Sequence, residues 1–594
     1  MKQFKIEKIQ WWAILICTLA LLVTSCDLDE KPYDFTSPEQ VGDSDDAADK
    51  WMMGVYNQYA QLFRYSEFPA VLEYDCDYTT GPSWAFGELG AGNFQGNSKQ
   101  TDNLWTYCYI IVHRANEAIV NVEKMQNTTE RHKNNVLGEL YFTKAFAYFL
   151  LVRAYGDIPL FMTSVNQGAD RNQPRQPIPK VYEHLISLLT YAKEMMYKNT
   201  DKEFVAGRAS AGAAASLLAK VYLTVASASL PSGDVIVRGG KPYDIVDNVQ
   251  IRTLPTPQTF HKQQVKGYEE FNSTEYFKNA RDLAKEIIEG IYGSYDLLPF
   301  QDMWTQASKN KIEHIWSVQS LMGDVDLGNH LCRDFCGLVE NNQVIKGMWY
   351  GLRDHWYKLF EPQDLRIVDG VFHRWSRIFD YDANIGTFYP NNDEYKKKAQ
   401  GYEIQIGNDP ETGEPITEHI PPVAPYNDGL NYGCGTDANY LAFLNKYSYP
   451  SDRTRTNSDI NYPFLRFADI LLIYAEAANE VAGGPTGEAL EALNRVRRRS
   501  NATEKKLSGD GNVGNIVSFR SAVLEERAME LALEGDRRWD LIRWGIYLDA
   551  MNSIGTLDEV GVTKVRTERH TLYPLPTTEI LSNTHISGNN PGWN

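Results

Sequence analysis

The sequence predicts a mostly α-helical chain in which paired helices form a scaffold, with long irregular loops and short β hairpins laid on one side. Three observations predict it. Apolar and small residues recur at helical spacing in long segments at both ends of the chain. Between them, 291–463 is rich in Gly, Pro, Asn and aromatics and lacks that period. The balance of 43% hydrophobic and 23% charged residues belongs to a packed globular protein, not to a disordered, collagen-like or polytopic membrane chain.

Taken in order, Lys2, Lys5 and Lys8 precede an apolar run from Trp11 to Val23. As a helix that run would span about 20 Å, short of the roughly 30 Å of a bilayer core. It reads as a signal-peptide h-region, not a membrane anchor. Leu22-Val23-Thr24-Ser25-Cys26 resembles the lipobox of bacterial lipoproteins, which implies cleavage before Cys26 and its acylation. Asp27, Asp29 and Glu30 follow, similar to a surface-export signal of some Gram-negative lineages. Residues 1–25 are then a signal peptide and 26–44 a lipidated tether.

Ala47 to Leu62 is the first scaffold helix, with Trp51, Val55, Tyr59 and Leu62 on one face and Asp43, Ser44 or Asp45 as N-cap candidates. Asn103 to Met125 is the second. The third runs from about Lys133 to Tyr155 and stops at Gly156-Asp157-Ile158-Pro159. Val181 to Tyr197 follows, then the alanine-rich Arg208 to Ala228, then Thr274 to Glu289. Near the C-terminus come Leu465 to Val481, Glu488 to Ser500, and Asn515 to about Gly535. Within 291–463, Ile312 to Ser320 alternates as a short strand. Pro410 to Pro415 reads as the turn of a hairpin between Tyr402–Gly407 and Ile416–Ile420.

Small residues recur beneath bulky ones in helix pairs, as in Leu218-Ala219-Lys220-Val221-Tyr222 with Tyr276 to Ala284, and Tyr474 to Ala477 with Ala489 to Leu493. That usage resembles tetratricopeptide helix pairs, which stack into a right-handed superhelical scaffold. Long insertions, about 64–102 and 229–272, interrupt the period. Such insertions collect on one face, often the binding face.

The C-terminal third carries a closer resemblance. Arg466-Phe467-Ala468-Asp469-Ile470-Leu471-Leu472-Ile473-Tyr474-Ala475-Glu476-Ala477, Ala489 to Arg497, and Leu524 to Arg527 with Glu534 to Leu541 are similar to signature blocks of the SusD/RagB family. Tyr573-Pro574-Leu575-Pro576 and Asn590-Pro591-Gly592-Trp593 fit too. So do Arg114-Ala115-Asn116, Ala145 to Tyr148 and Asp157 to Leu160. The resemblance implies one SusD-like domain over 45–594, with its helical scaffold at about 45–290 and 464–550 and a loop-rich insertion at about 291–463. It implies an outer-membrane, cell-surface, lipid-anchored protein that captures glycans, or sometimes peptides or other nutrients, for a SusC-like TonB-dependent transporter. Glu534 and Arg538, spaced i,i+4, are expected to pair, and Glu526 and Glu530 to join Arg527, Arg537 and Arg538 in a structural network.

A sugar ring needs a flat aromatic platform and planar polar side chains. The 64–102 insertion supplies Trp84, Phe86 and Phe94 with Asn93 and Asn97 in a glycine-rich frame, and the region after Ile312–Ser320 supplies Phe335, Trp349 and Tyr350. These eight residues are the expected ligand contacts.

The formal charge of -18 disfavours nucleic acid and anionic membrane surfaces as electrostatic partners, while a neutral sugar suits it. No HExxH, GxSxG or phosphate loop occurs, so no enzyme is expected; a glycoside-cleaving activity is the catalytic alternative. No cofactor is expected. Structural calcium is left open without a motif. Seven cysteines with scattered spacing give no zinc pattern.

Overall fold

The computed structural model describes residues 41–64, 67–341, 343–375, 387–389, 402–410, 412–420 and 441–593. The expected signal peptide and Cys26 lie outside these residues. The main helices are α1 (Asp45–Phe63), α2 (Lys99–Lys124), α3 (Glu130–Tyr155), α4 (Ile178–Met195), α5 (Ala211–Ser229), α6 (Ser273–Ile288), α7 (Phe467–Ala482), α8 (Gly487–Arg499), α9 (Ile516–Glu530) and α10 (Arg537–Arg543). From α2 to α6 each helix packs on the next; α1 lies against α2 and α3, and α7 returns to pack on α6, α8 and α9. The long segment 289–466 is thus spliced between two helices that are neighbours in space. The mostly α, tetratricopeptide-like scaffold stands as the sequence predicts.

Local chemistry explains the helix limits. Ser44, Ser210, Asn272, Thr486 and Asn515 each accept a hydrogen bond from a first-turn backbone N–H. Asp43 and Asp45 do another job: they accept from Gln126, Asn127 and Thr129 and tie the start of α1 to the α2–α3 turn. Gly156, at φ 72°, ends α3. From Asn135 to Tyr155 α3 is buried on every side except at Tyr141, and α5 is nearly so. Hence neither has a polar face turned to solvent: α5 is apolar or small nearly all round, and the charged Glu139, Lys144 and Arg153 of α3 are themselves buried. Alanines on α5 let its neighbours close in. At Gly212 a Cβ would stand 2.2 Å from the Tyr295 hydroxyl.

The insertion at 229–272 is a β ribbon. Asp234–Gly239 pairs antiparallel with Thr256–His261, and Tyr243–Val246 with Val249–Arg252. Asp247 and Asn248 close it at φ 50° and 64°, a pair of left-handed positions that Asx residues tolerate. The expected hairpin at Tyr402–Asn408 and Pro415–Ile420 forms. The expected strand spans His314–Val318 and pairs with Tyr462–Arg466, which leads directly into α7.

Buried charges hold the two halves together, with partners that differ from those expected. Arg538 does not pair with Glu534. Helix α9 ends at Glu530, and Leu533 and Gly535 adopt φ 61° and 84°, so the i,i+4 spacing from 534 to 538 crosses a bend instead of a helical turn. Glu534 goes to Arg466 and Lys446, and Arg538 goes to Asp75. Glu526 takes Arg366 and Arg497, and Glu530 takes Arg466, Arg499 and Arg366. Arg527 pairs with Asp469 and Asp540, and Arg537 with Asp77.

Glu73 is the exception among these acids. Burial, reinforced by the nearby Asp536 carboxylate, raises its pKa to about 8; Lys446, the Gly535 N–H and the Tyr462 hydroxyl oppose the shift. A folded chain that keeps this proton to pH 8, while the unfolded chain releases it near 4.5, loses stability as pH rises between those values. Glu73→Gln cannot ionise. Urea midpoints at pH 5 and pH 8 should therefore show the variant gaining on the parent by about 1 kcal/mol or more at the higher pH. Parallel pH dependence of the two proteins would refute the assignment.

Candidate functional site

A short sheet builds the site. Thr79–Thr80 pairs antiparallel with Gly351–Arg353, Thr80 opposite Gly351, and Gly351–Arg353 pairs on its other edge with Leu441–Ala442. Trp84 follows Thr80 by four residues and Trp349 precedes Gly351 by two, so antiparallel pairing brings the two indoles to the same end of the sheet. Their rings meet edge to face, with centroids 5.3 Å apart and planes at 79°. Trp84 sits on the one-turn helix Ser83–Phe86 and is 71% exposed, while Trp349 is half-buried.

The backbone around Trp349 is tightly folded. Cys332–Cys336 forms a π-helical turn, a geometry often found at functional sites. The Arg333 carbonyl accepts from Met348, and the Asp334 carbonyl accepts from Trp349. Met348 is held at φ 58°, and at Gly347 a Cβ would stand 1.8 Å from the Arg333 carbonyl, so only glycine fits there. The Arg333 guanidinium lies 5.3 Å from the Trp349 ring centroid and donates from Nε to Asp334 at 2.6 Å. Trp349 is thus a fixed platform and Trp84 an open one.

The other expected contacts divide. Phe86, Phe335 and Tyr350 are buried beneath the pair, where Tyr350 meets Tyr74 at 4.2 Å and Phe335 at 5.9 Å, and Phe86 meets Tyr74 at 5.0 Å. They support the platform from inside and offer no ring face to solvent. Phe94 is fully buried elsewhere, against Trp593 and Tyr573. The reason is the glycines. At Gly90 a Cβ would lie 1.7 Å from the Phe86 ring, and at Gly81 it would lie 2.9 Å from the Trp349 carbonyl. Their missing side chains admit packing; they do not serve to present rings. Asn93 is exposed and donates to the Gly87 carbonyl within the Trp84 loop. Asn97 is exposed beside Gly96, whose carbonyl accepts from Thr577. Arg333, Gly347 and Met348 complete the site. Only the Gly-Met step before Trp349 marks that turn in the sequence.

Among the described residues no three His, Cys, Asp or Glu side chains converge to hold a metal ion. Cys76, Cys108, Cys332 and Cys336 are free and buried, and burial raises the Cys332 thiol to about 11, so it is not a reactive thiolate. The arrangement fits a ligand with a flat apolar face and polar edges.

Two family models match the chain. One, described as the SusD family, matches residues 426–593, and another, described as starch-binding associating with outer membrane, matches 28–223. The SusD-like protein P2 of Formosa agariphila is 25% identical, with both chains covered in full. The starch-binding protein SusD of Bacteroides thetaiotaomicron is 29% identical over 254 residues, 37% of this chain and 42% of that one. The crystal structure of a SusD homolog from the same organism superposes with a TM-score of 0.66 at 20% identity, covering 94% of this chain and 99% of that one, which is a likeness of fold.

Proposed function

This chain belongs to the SusD/RagB family, and on that premise we propose that it captures a glycan at the Trp84–Trp349 pair and passes it to a SusC-like TonB-dependent transporter, without cleaving it. The observation that carries the reading is an indole 71% exposed, set edge to face against a second indole that is locked in place. A pyranose face stacked on one ring would meet the edge of the other. Arg333, 5.3 Å from the Trp349 ring centroid, stands nearby to meet a hydroxyl. The names of the relatives support the glycan: one is called starch-binding, and one family model is described as associating with the outer membrane. In this reading, acylated Cys26 anchors the chain at the cell surface.

Affinity electrophoresis of the purified protein through gels containing single polysaccharides tests the proposal. At least one polysaccharide should retard the parent, and Trp84→Ala should weaken that binding about tenfold or more, equivalent to about 1.4 kcal/mol. Because the ring is exposed, the variant's stability should stay within about 0.5 kcal/mol of the parent. Failure of every polysaccharide, with binding of a peptide cargo instead, would overturn the glycan reading. Release of reducing sugar would overturn the non-catalytic one.

A further inference from the structure

A cleft opens on the C-terminal helices, between α8 and the loop 501–508 that follows it. Its volume is about 1070 Å³, and it shares no lining residue with the tryptophan pair. That is about the upper limit for small-molecule sites, roughly 300–1,000 Å³. The walls are tied to one another. Asn494 of α8 accepts from the Lys505 N–H at 2.8 Å and donates to the Lys505 carbonyl at 3.0 Å. Arg498 reaches Glu504 on the loop at 2.9 and 3.0 Å, and Glu491, two turns back on α8, at 3.2 Å. Gln363 closes the third side: its amide donates to the Thr503 hydroxyl at 3.1 Å, and its backbone carbonyl accepts from Asn501 at 3.1 Å. A cleft braced in this way is formed before any ligand arrives, which lowers the cost of binding.

The chain as a whole is acidic, yet this cleft is not. Arg498, Lys505 and Lys506 line it against Glu491 and Glu504, three cations to two acids. Both acids are engaged by Arg498. The ammonium groups of Lys505 and Lys506 take no partner among the described residues. The acids nearest Lys505 are committed elsewhere: Glu361 and Glu526 to Arg497, and Glu525 to Arg238. Burial, with the charge of Arg497, lowers the Lys505 pKa, as befits an ammonium without a counter-ion. Two adjacent cations therefore stand in a preformed cleft, and an ammonium is a compact point charge suited to a carboxylate or sulfate.

The lining decides the class of ligand. Among the described residues no aromatic ring lines the cleft, so a neutral sugar has no platform to stack on. The loop offers a peptide no free edge either. Asn494 takes both backbone groups of Lys505, and the Lys506 carbonyl accepts from Val513. The Thr503 N–H donates to Glu361, and the Thr503 carbonyl accepts from Arg497. What remains is side-chain chemistry: two ammonium groups, the Ser508 hydroxyl, and the amide oxygens of Gln363 and Asn501. We propose that this cleft is a second saccharide site, separate from Trp84 and Trp349, for an acidic sugar chain carrying carboxylate or sulfate groups. Lys505 and Lys506 hold the anionic groups, and Ser508 with the two amide oxygens meets the hydroxyls. The site stands on its own residues and does not rest on the reading of the tryptophan pair.

Calorimetric titration of the full chain tests this with three probes: an oligogalacturonate, a chondroitin sulfate oligosaccharide and poly-glutamate. An ionic strength of about 0.15 M, where the Debye length is about 8 Å, screens the distant acids and leaves the two lysines to act. At least one acidic saccharide should bind saturably. Lys506→Gln, a change at an exposed position, should weaken that binding about tenfold or more. Lys505→Met, which keeps the apolar stem, should do the same, and Trp84→Ala should leave it unchanged. Absence of binding by both saccharides would overturn the proposal, as would parent affinity in both lysine variants. Loss of binding in Trp84→Ala would place the acidic sugar at the tryptophans, and lysine-dependent binding of poly-glutamate at equal or higher affinity would make the cleft a peptide site; either result refutes the assignment. A chain that binds a neutral polysaccharide through Trp84 but neither acidic saccharide would keep the first site and remove this one.

Discussion

Arg466→Met should destabilise the fold by about 3–5 kcal/mol, the range for breaking one side of a buried ion pair. Arg466 is 1% exposed. Its guanidinium donates to Glu313 at 2.6 Å, to Glu530 at 3.0 Å, and to both oxygens of Glu534 at 2.7 and 2.8 Å. It also donates to the Glu530 carbonyl at 3.1 Å. Methionine fills much of the space and removes every donor. Three carboxylates then face one another with only Lys446, Arg499 and Arg366 to share. The pH dependence of this cluster's own contribution should change sign along with the magnitude. In the parent, burial alone would raise the Glu530 pKa, but Arg499, Arg466 and Arg366 hold it well below the ordinary range. Its contribution is therefore complete above about pH 4.5 and is lost as pH falls through the folded value. In the variant these acids are pushed upward by burial and mutual repulsion, so stability should fall more steeply as pH rises from 5.5 to 8 than it does in the parent, where Glu73 alone gives a fall. Urea unfolding at those two pH values would decide it, and a variant within 1 kcal/mol of the parent at both would refute the assignment.

What the sequence makes legible and what it hides follow from the range of the interactions. The helices are local. The cap residues, the Gly156 stop and the 3.6-residue period of α1, α2, α4 and α6 are decided within a turn or two, and the structure places these helices close to where the pattern predicts. Ion-pair partners are not local. Glu534 and Arg538 share a helical spacing but no helix, because Leu533 and Gly535, on either side of Glu534, turn the chain left-handed. The site shows the same division. Trp84 and Trp349 are legible as residue types, yet their meeting depends on the register of Thr80 against Gly351, which no local pattern carries. Phe86, Phe94, Phe335 and Tyr350 look like exposed loop aromatics because polar residues and glycines surround them. Gly90 in fact yields its side-chain volume to the Phe86 ring. A glycine-rich aromatic loop can equally be a tightly packed one, and only the volumes tell them apart.

Asp75→Asn carries the second large effect, and it links stability to the site. Asp75 is fully buried between Arg538 and Arg566, whose Nε donates to it at 2.9 Å. Burial alone would raise its pKa, but the two guanidiniums outweigh that and hold it below the usual carboxylate range. Both arginines also hold backbone. Arg538 donates to the His570 carbonyl at 2.7 Å, and Arg566 to the Gly90 carbonyl at 2.7 Å, while the His570 ring lies 3.1 Å from the Gly92 carbonyl. Asp75 thus fixes the C-terminal segment against the loop that carries Trp84. An amide keeps the shape, removes the charge, and leaves two buried cations facing each other. A loss of about 3–5 kcal/mol is expected at pH 7. The parent gives up this contribution only as pH falls below about 3.8 through the lower folded value, so the gap between the proteins should narrow in acid. Where the variant is still folded, its glycan affinity should also drop, because the Trp84 loop loses the charge that orients Arg566 under Gly90. That separates it from Trp84→Ala, which should lose affinity without losing stability. An Asp75→Asn protein with a lowered urea midpoint but unchanged retardation in the affinity gel would show that the loop holds its shape without this brace.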